Sequence, residues 1–394
     1  MLTILAVLIS LSIIILFHEG GHFVFSKLSK IKVEEFGLGY APRIIGVVKI
    51  KSNGKWKIFF GKKAPPDEEL ASTIYSLNWI PFGGFNKIKG EEGESNDPDN
   101  FYARPWWQRF FSLSGGIIMN IILAMILFSI AFMAGMSTSA EEKDLGQGAI
   151  IKDQGVQIIQ VQKKSPAEKA GIIIGDIVLK VDDQEIKTTT KLQNYIDKKV
   201  EQEINLKIKR NGQELNYKIT PQKIENIFSQ EEIGERKMGG GAIGVSLAEV
   251  KIVSYPFFQA IWQGVKMAFK MFGRVVEGVY LIIKELFVSH KMIGEAVGVV
   301  GIATFIGEAY QVGLAYLVQF LGLISIAIAV SQLIPFPALD GGRLLFLLIE
   351  IIRRKPVSRK TEALIHNIGF TLLLLLMVFI TYKDLMRLGD KFFK

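Results

Sequence analysis

Two histidines and a glutamate stand within five consecutive residues near the start of the chain, His18-Glu19-Gly20-Gly21-His22. On a helix, residues four apart share a face, so both imidazoles can reach one cation while Glu19 stands beside it. Zinc takes imidazole and carboxylate ligands, and a catalytic zinc site keeps one position for water. The cation brings the pKa of that water towards neutrality, and a neighbouring glutamate can take its proton. The chemistry this pentad suggests is metal-assisted hydrolysis. The chain has four histidines and no cysteine, so any metal must be held by His and carboxylate. His290 and His366 have no neighbouring ligands and are expected to be incidental.

Two imidazoles leave such a site one protein ligand short. The candidate is Asp340, in Pro335-Phe336-Pro337-Ala338-Leu339-Asp340-Gly341-Gly342. By spacing alone that segment reads equally well as a turn capping the next helix.

The elements that must position these residues are apolar and long. Of the 394 residues 49% are hydrophobic, and they gather in four runs separated by charged sequence. That clustering is expected where the solvent changes from water to hydrocarbon. Met1 to Phe17 is almost wholly apolar and runs straight into His18. It lacks a basic leader and a small-residue cleavage site, so it reads as a membrane span rather than a signal peptide. Further runs lie near Phe110 to Met136, Gly313 to Ile334 and Ile365 to Tyr382, each close to the ~20 residues a bilayer requires. Placing charged groups at mid-membrane depth costs on the order of 2.5–3.5 kcal/mol each, which argues that the pentad at the end of the first span has a use.

Between the spans, Val47 to Lys51 and Lys55 to Phe59 flank Ser52-Asn53-Gly54, a hairpin signal in which Asn-Gly takes positive φ. Ile74 to Lys89 is strand-like but broken by Pro81 and Gly83-Gly84. Residues 254–290 carry aromatic and aliphatic residues at helical spacing among Lys and Glu, an amphipathic pattern. The net charge of +9 has no Lys/Arg block interleaved with aromatics, which excludes a nucleic-acid surface. Arg343, Arg353, Arg354, Lys355, Arg359 and Lys360 against Glu350 place the loop after the third span in the cytoplasm. Four spans then put residues 27–105 there too and 137–312 outside. His18 and Asp340 would lie at similar depth, because the first and third spans run the same way.

The HEGGH pentad, the PFPALDGG segment and a PDZ-like insertion together resemble the site-2 protease family of intramembrane zinc metalloproteases, in its bacterial RseP-like type with one PDZ domain. The likeness covers nearly the whole chain, including Phe36 to Tyr40, Ile80 to Phe85, Gly115 to Asn120 and Val297 to Ile302. It implies that His18, His22 and Asp340 hold Zn2+ and that Glu19 is the catalytic base. It also implies that the strands near residues 47–90 form a membrane-associated sheet for an extended substrate, with Gly83, Gly84, Asn120 and Gln332 as substrate-binding candidates. Two positions depart from the family pattern: Gln332 where Asn is usual, and Val299 where Pro is common. Ser165-Pro166-Ala167-Glu168-Lys169-Ala170-Gly171-Ile172 and Gly175-Asp176-Ile177-Val178 resemble a PDZ domain. Its carboxylate loop is either Gly148-Ala149-Ile150 or Gly241-Ala242-Ile243-Gly244.

The expected architecture is a polytopic α-helical membrane protein of about four spans. It carries a small membrane-associated β-sheet and an inserted extracytoplasmic PDZ-like α/β domain. The first span with the zinc motif covers 1–26 and the cytoplasmic β region 27–105. The second span covers 106–136, the PDZ-like domain 145–222, and a linker with amphipathic helices 223–312. The third span with the LDGG motif covers 313–342, a basic cytoplasmic loop 343–362, the fourth span 363–386 and the tail 387–394. The expected activity is hydrolysis of single-span membrane proteins in the inner (cytoplasmic) membrane, such as anti-sigma factors or signal-peptide remnants. The PDZ domain either binds substrate ectodomains or excludes large ones. The competing reading is a membrane-tethered PDZ adaptor without proteolytic activity.

Overall fold

The computed structural model describes residues 2–61, 63–66, 69–91, 97–139, 145–210, 212–228, 239–288 and 298–392. His290 and Val297 lie outside them. Two compact units emerge, one of Met1–Met125, Ala268–Ala303 and Leu321–Lys394, the other of Ile126–Met267 and Thr304–Phe320.

In the first unit, helix α1 (Leu2–Leu28) rises about 40 Å at 1.5 Å per residue, enough to cross a bilayer. It leads into strands β1 (Val33–Lys49), β2 (Trp56–Phe60) and β3 (Ile74–Ile88), ordered β2-β1-β3 and antiparallel throughout. The expected hairpin forms, but Lys49 pairs with Trp56 across a longer loop, and within Asn53-Gly54 only Gly54 takes positive φ. Pro81 and Gly83-Gly84 do not end the third strand. β3 runs on through shifts of register, with Gly83 at φ +81°, and pairs with both halves of the long β1. One face of the sheet buries Val48, Ile50, Phe59, Leu70 and Ile74. The other exposes Trp56, Ile58, Phe60, Leu77 and Trp79.

Helix α2 (Trp106–Ala134) begins in this unit and ends in the next. The second unit holds β4 (Met136–Thr138), β5 (Ile150–Val161), α3 (Pro166–Ala170), β6 (Ile177–Val181), β7 (Gln184–Glu185), α4 (Thr189–Asp197), β8 (Ile204–Arg210), β9 (Gln213–Ile219), β10 (Gln222–Lys223), β11 (Gly241–Ala242) and β12 (Val245–Ser254). The sheet order is β4-β12-β5-β6-β8-β9, with β7 on β6. α3 is capped by the Ser165 side chain, starts on Pro166 and ends on Gly171 at φ +84°, as its sequence dictates. The domain does not stop at residue 222. β12 pairs with β5 over ten residues, and its Val245 joins Val156, Ile158, Val178, Leu206 and Ile208 in one core. A strand this distant in sequence leaves no local signal of which sheet it joins. Gly241-Ala242-Ile243-Gly244 leads directly into β12, and a side chain on Gly241 would strike the end of α4.

Helices α5 (Phe257–Val288), α6 (Val299–Val312), α7 (Leu314–Leu333), α8 (Asp340–Arg353) and α9 (Arg359–Phe392) follow. Among the described residues four helices are long and apolar enough to cross a membrane: Thr3–Leu28, Trp106–Ala134, Leu314–Leu333 and Arg359–Met386. The third expected segment is thus two helices: α7 ends at Leu333, where Pro335 and Pro337 forbid continuation, and Asp340 opens α8.

Candidate metal centre

The pentad faces α2, and at their crossing the two backbones touch. A side chain on Gly21 would strike the Gly115 carbonyl, and one on Gly115 would strike that of Gly21. Small residues on both sides allow membrane helices to approach this closely. A side chain on Gly116 would displace both imidazoles. One turn further along α1, the Ser26 and Ser112 hydroxyls meet at 2.7 Å, a bond joining the two helices.

His22 Nδ1 lies 2.9 Å from the Ser112 carbonyl oxygen. A carbonyl only accepts, so Nδ1 carries the proton and Nε2 keeps its lone pair. His18 Nδ1 meets the Asn120 amide at 3.3 Å. Asn120 Oδ1 is buried without a partner; turned towards His18 it accepts Nδ1–H and frees that Nε2 as well. Ser325 of α7 donates to the Asn120 backbone carbonyl at 2.8 Å, tying α7 to the same turn of α2.

Asp340 Oδ2 closes a triangle, 3.4 Å from His18 Nε2 and 3.1 Å from His22 Nε2, while the two nitrogens are 3.4 Å apart. Bonds of about 2.0–2.1 Å to a tetrahedral zinc would separate ligand atoms by about 3.3–3.4 Å, so donor set and spacing both fit that ion. Asp340 Oδ2 is buried and has no hydrogen-bond donor. Three lone-pair atoms cannot satisfy one another, and a cation is what such a buried group lacks.

Asp340 reaches this point because its backbone N–H donates to Gln332 Oε1 at 3.2 Å. Gly341 and Gly342 press against the carbonyls of Leu333, Ile334 and Phe336, where no side chain fits. The two readings of this segment are both realised: Asp340 is the third vertex and the first residue of a helix, a favourable place for a carboxylate. Gln332 is thereby engaged with the Asp340 turn.

Glu19 stands beside β3. A Cβ on Gly84 would lie 3.6 Å from Glu19 Cγ and 2.9 Å from the Gly37 carbonyl, and Gly83 backs onto Tyr40. The two glycines let β3 pack closely on β1, with Gly84 in contact distance of Glu19. His18, Glu19, His22, Gln332 and Asp340 line one cavity of about 500 Å³. A second cavity of about 540 Å³ shares Glu91, Leu113, Arg343, His366 and Asn367 with it and extends to Arg359 and Lys360. Arg343 and Glu91 form an ion pair on the lining common to both.

Sequence reasoning missed four contributors. The Ser112 carbonyl carries no side-chain signal at all. The Arg343–Glu91 pair joins residues far apart in the chain. Asn86 of β3 faces the cavity with both amide atoms buried and unpartnered; a polar amide beside Gly-Gly-Phe was the available hint. His366 is not incidental: its Nδ1 accepts the Ala338 N–H at 3.0 Å. No local pattern predicts a contact between residues 28 positions apart.

Four bilayer-length helices around a His-His-Asp triangle with an adjacent glutamate define a multi-pass membrane protein built for metal-assisted hydrolysis. The model of Peptidase family M50 matches residues 6–63 and 55–376. The chain belongs to that family, the site-2 proteases. A Clostridium perfringens relative named "Putative zinc metalloprotease" is 32% identical over 384 residues, 97% of this chain and 98% of its own. One of the same name from Clostridium acetobutylicum is 30% identical over 381 residues, 97% and 96%. "Zinc metalloprotease RasP" of Oceanobacillus iheyensis is 24% identical over 469 residues, 98% and 100%.

Proposed function

We propose that this protein is a zinc metalloendopeptidase that cuts single-span membrane proteins within or at the edge of the bilayer. His18 Nε2, His22 Nε2 and Asp340 hold the zinc, and Glu19 is the catalytic base. The observation that carries this reading is the triangle of lone-pair atoms 3.1–3.4 Å apart, beside Glu19 in one cavity.

Zinc supplies Lewis acidity, polarising the scissile carbonyl and acidifying water. Glu19 takes a proton from the attacking water and delivers it to the leaving amine. Ser112 and Asn120 keep each Nε2 unprotonated and aimed, while Gln332 fixes the turn before Asp340. A helical substrate hides its scissile carbonyl, so it must unwind locally. β3, which passes Glu19 at Gly84, offers a backbone on which the opened segment can pair. The second cavity gives water a route from Arg359 and Lys360.

Residues 27–105 and 343–362 face the cytoplasm and 137–312 lie outside, in the inner membrane. The PDZ domain then meets substrate ectodomains, with the groove between α4 and β12 as the place where a peptide adds.

The test is co-expression with tagged single-span candidates, comparing parent and Glu19→Gln. An amide cannot accept the proton, so cleavage should fall by about 10²–10⁴ with zinc near one per chain. A membrane-tethered adaptor would show no difference between the two, and that result would sink the proposal.

A further inference from the structure

Of the four long apolar helices α9 is the least covered: 6% of its apolar stretch is buried, against 44% for α2. Among its described side chains only Gly369 and Asp384 are buried. Asp384 accepts the N–H groups of Gly298 and Gly301, each at 3.0 Å, and so caps α6. Its other attachments lie in its first turns, where Glu362 accepts the Tyr102 hydroxyl at 3.1 Å. Gly369 lies against Pro337, where a side chain would strike the proline ring and carbonyl. His366, three residues earlier on the same face, accepts the Ala338 N–H. Part of the grip of a mostly lipid-facing helix thus falls on the segment that delivers Asp340.

That segment needs support. Ala338 sits at φ +81°, a region that residues other than glycine rarely occupy. Ala338 has no side-chain group with which to hold that turn, so the restraint must come from elsewhere. An imidazole whose Nδ1 accepts a backbone N–H two residues before Asp340 supplies it.

We propose that His366 is a positioning residue of the metal centre, locking the turn at Ala338 and with it the direction of the Asp340 carboxylate. This rests on the reading of His18, His22 and Asp340 as the zinc site. His366 acts on the ligand that comes from the loop, as Ser112 and Asn120 act on the two that come from α1. The fourth span is on this account a buttress of the centre.

The chemistry of the acceptor makes the idea testable. Asparagine places an amide oxygen near the position of imidazole Nδ1, glutamine places one near Nε2, and leucine offers neither. Full-length parent, His18→Ala, His366→Leu, His366→Asn and His366→Gln would be purified in detergent. Zinc affinity is measured by chelator competition, and the visible bands of the cobalt-loaded protein report ligand geometry. His366→Leu should bind zinc about 10–100-fold more weakly and shift the cobalt bands, while His366→Asn should stay within about threefold of the parent.

Parent affinity and parent cobalt bands in His366→Leu would overturn the proposal. So would rescue by Gln but not by Asn, which would place the role at Nε2. Zinc retained by His18→Ala is a different result, because it would remove the metal-site reading itself. Should His366→Leu lose its fold, the Asn and Gln variants carry the same contrast between two amides.

Discussion

The metal centre and the β-sheet domain that packs around Val156 and Leu206 treat buried polar groups in opposite ways. In the domain, Asp176 is fully buried and its needs are met internally. Arg210 donates at 2.7 and 2.6 Å, and the Ile173 N–H donates at 2.9 Å. Around the centre, Asp340 Oδ2, His366 Nε2 and both amide atoms of Asn86 are buried without partners. Among the described residues no buried, unpartnered side-chain atom lies between 145 and 254. A domain that only has to fold closes its own hydrogen bonds. A site that must take a metal and a substrate keeps polar groups in reserve, and the surrounding helix packing must hold them there.

The contrast breaks most visibly at Asp340. Asp340→Asn should remove detectable cleavage and most of the zinc, because an amide is a much poorer zinc ligand and two imidazoles are too few. Full zinc and full activity in that variant would return the LDGG segment to a simple turn. Asp176→Ala should act on the fold instead. Breaking a buried pair destabilises by about 3–5 kcal/mol, and Arg210 is partly exposed, so the lower end applies. Hydrogen exchange of β6 and β8 should quicken by about 10²; unchanged protection would show that the domain does not depend on its internal pairing.

Gln332→Asn should have a smaller effect. The shorter amide draws back from the Asp340 N–H, and a hydrogen bond of this kind is worth about 0.5–1.5 kcal/mol. Cleavage should fall by at most about tenfold at unchanged zinc content; a loss as deep as that of Asp340→Asn would mean that Gln332 does more than steady the turn.

The smallest effect concerns pH. The Tyr195 hydroxyl, and then the Asn205 N–H, hold the Asp182 carboxyl below its usual range. A lowered folded pKa contributes stability that is present above the unfolded value of about 3.9 and lost as pH falls through the folded one. Tyr195→Phe should therefore lower protection of β8 and β9 at neutral pH and flatten its decline in acid. An identical acid limb in both proteins would remove Asp182 from the account.

The parts of this architecture legible in the sequence are those with short periods. Four apolar runs became four bilayer-length helices, because covering a bilayer is a matter of length and composition. The i, i+4 spacing put His18 and His22 on one face of α1. Ser165, Pro166 and Gly171 marked the start and end of α3. Residues 245–254 escaped, because pairing as distant as Ser254 with Ile150 has no local signature.

By itself the sequence determined that two imidazoles share a helical face at the end of an apolar span, with a glutamate beside them, and that a proline-broken turn carries an aspartate. Local stereochemistry and hydropathy suffice for both. Only the tertiary structure decided that Asp340 Oδ2 stands 3.1–3.4 Å from the two Nε2 atoms. It also decided that Gly115 and Gly116 make the room, that Ser112 and Asn120 hold the imidazoles, and that His366 and Gln332 hold the turn. Those contacts join residues as far apart in the chain as His18 and Asp340. Their geometry follows from how α1, α2, α7 and α9 pack, which the spacing of residues along one helix does not encode.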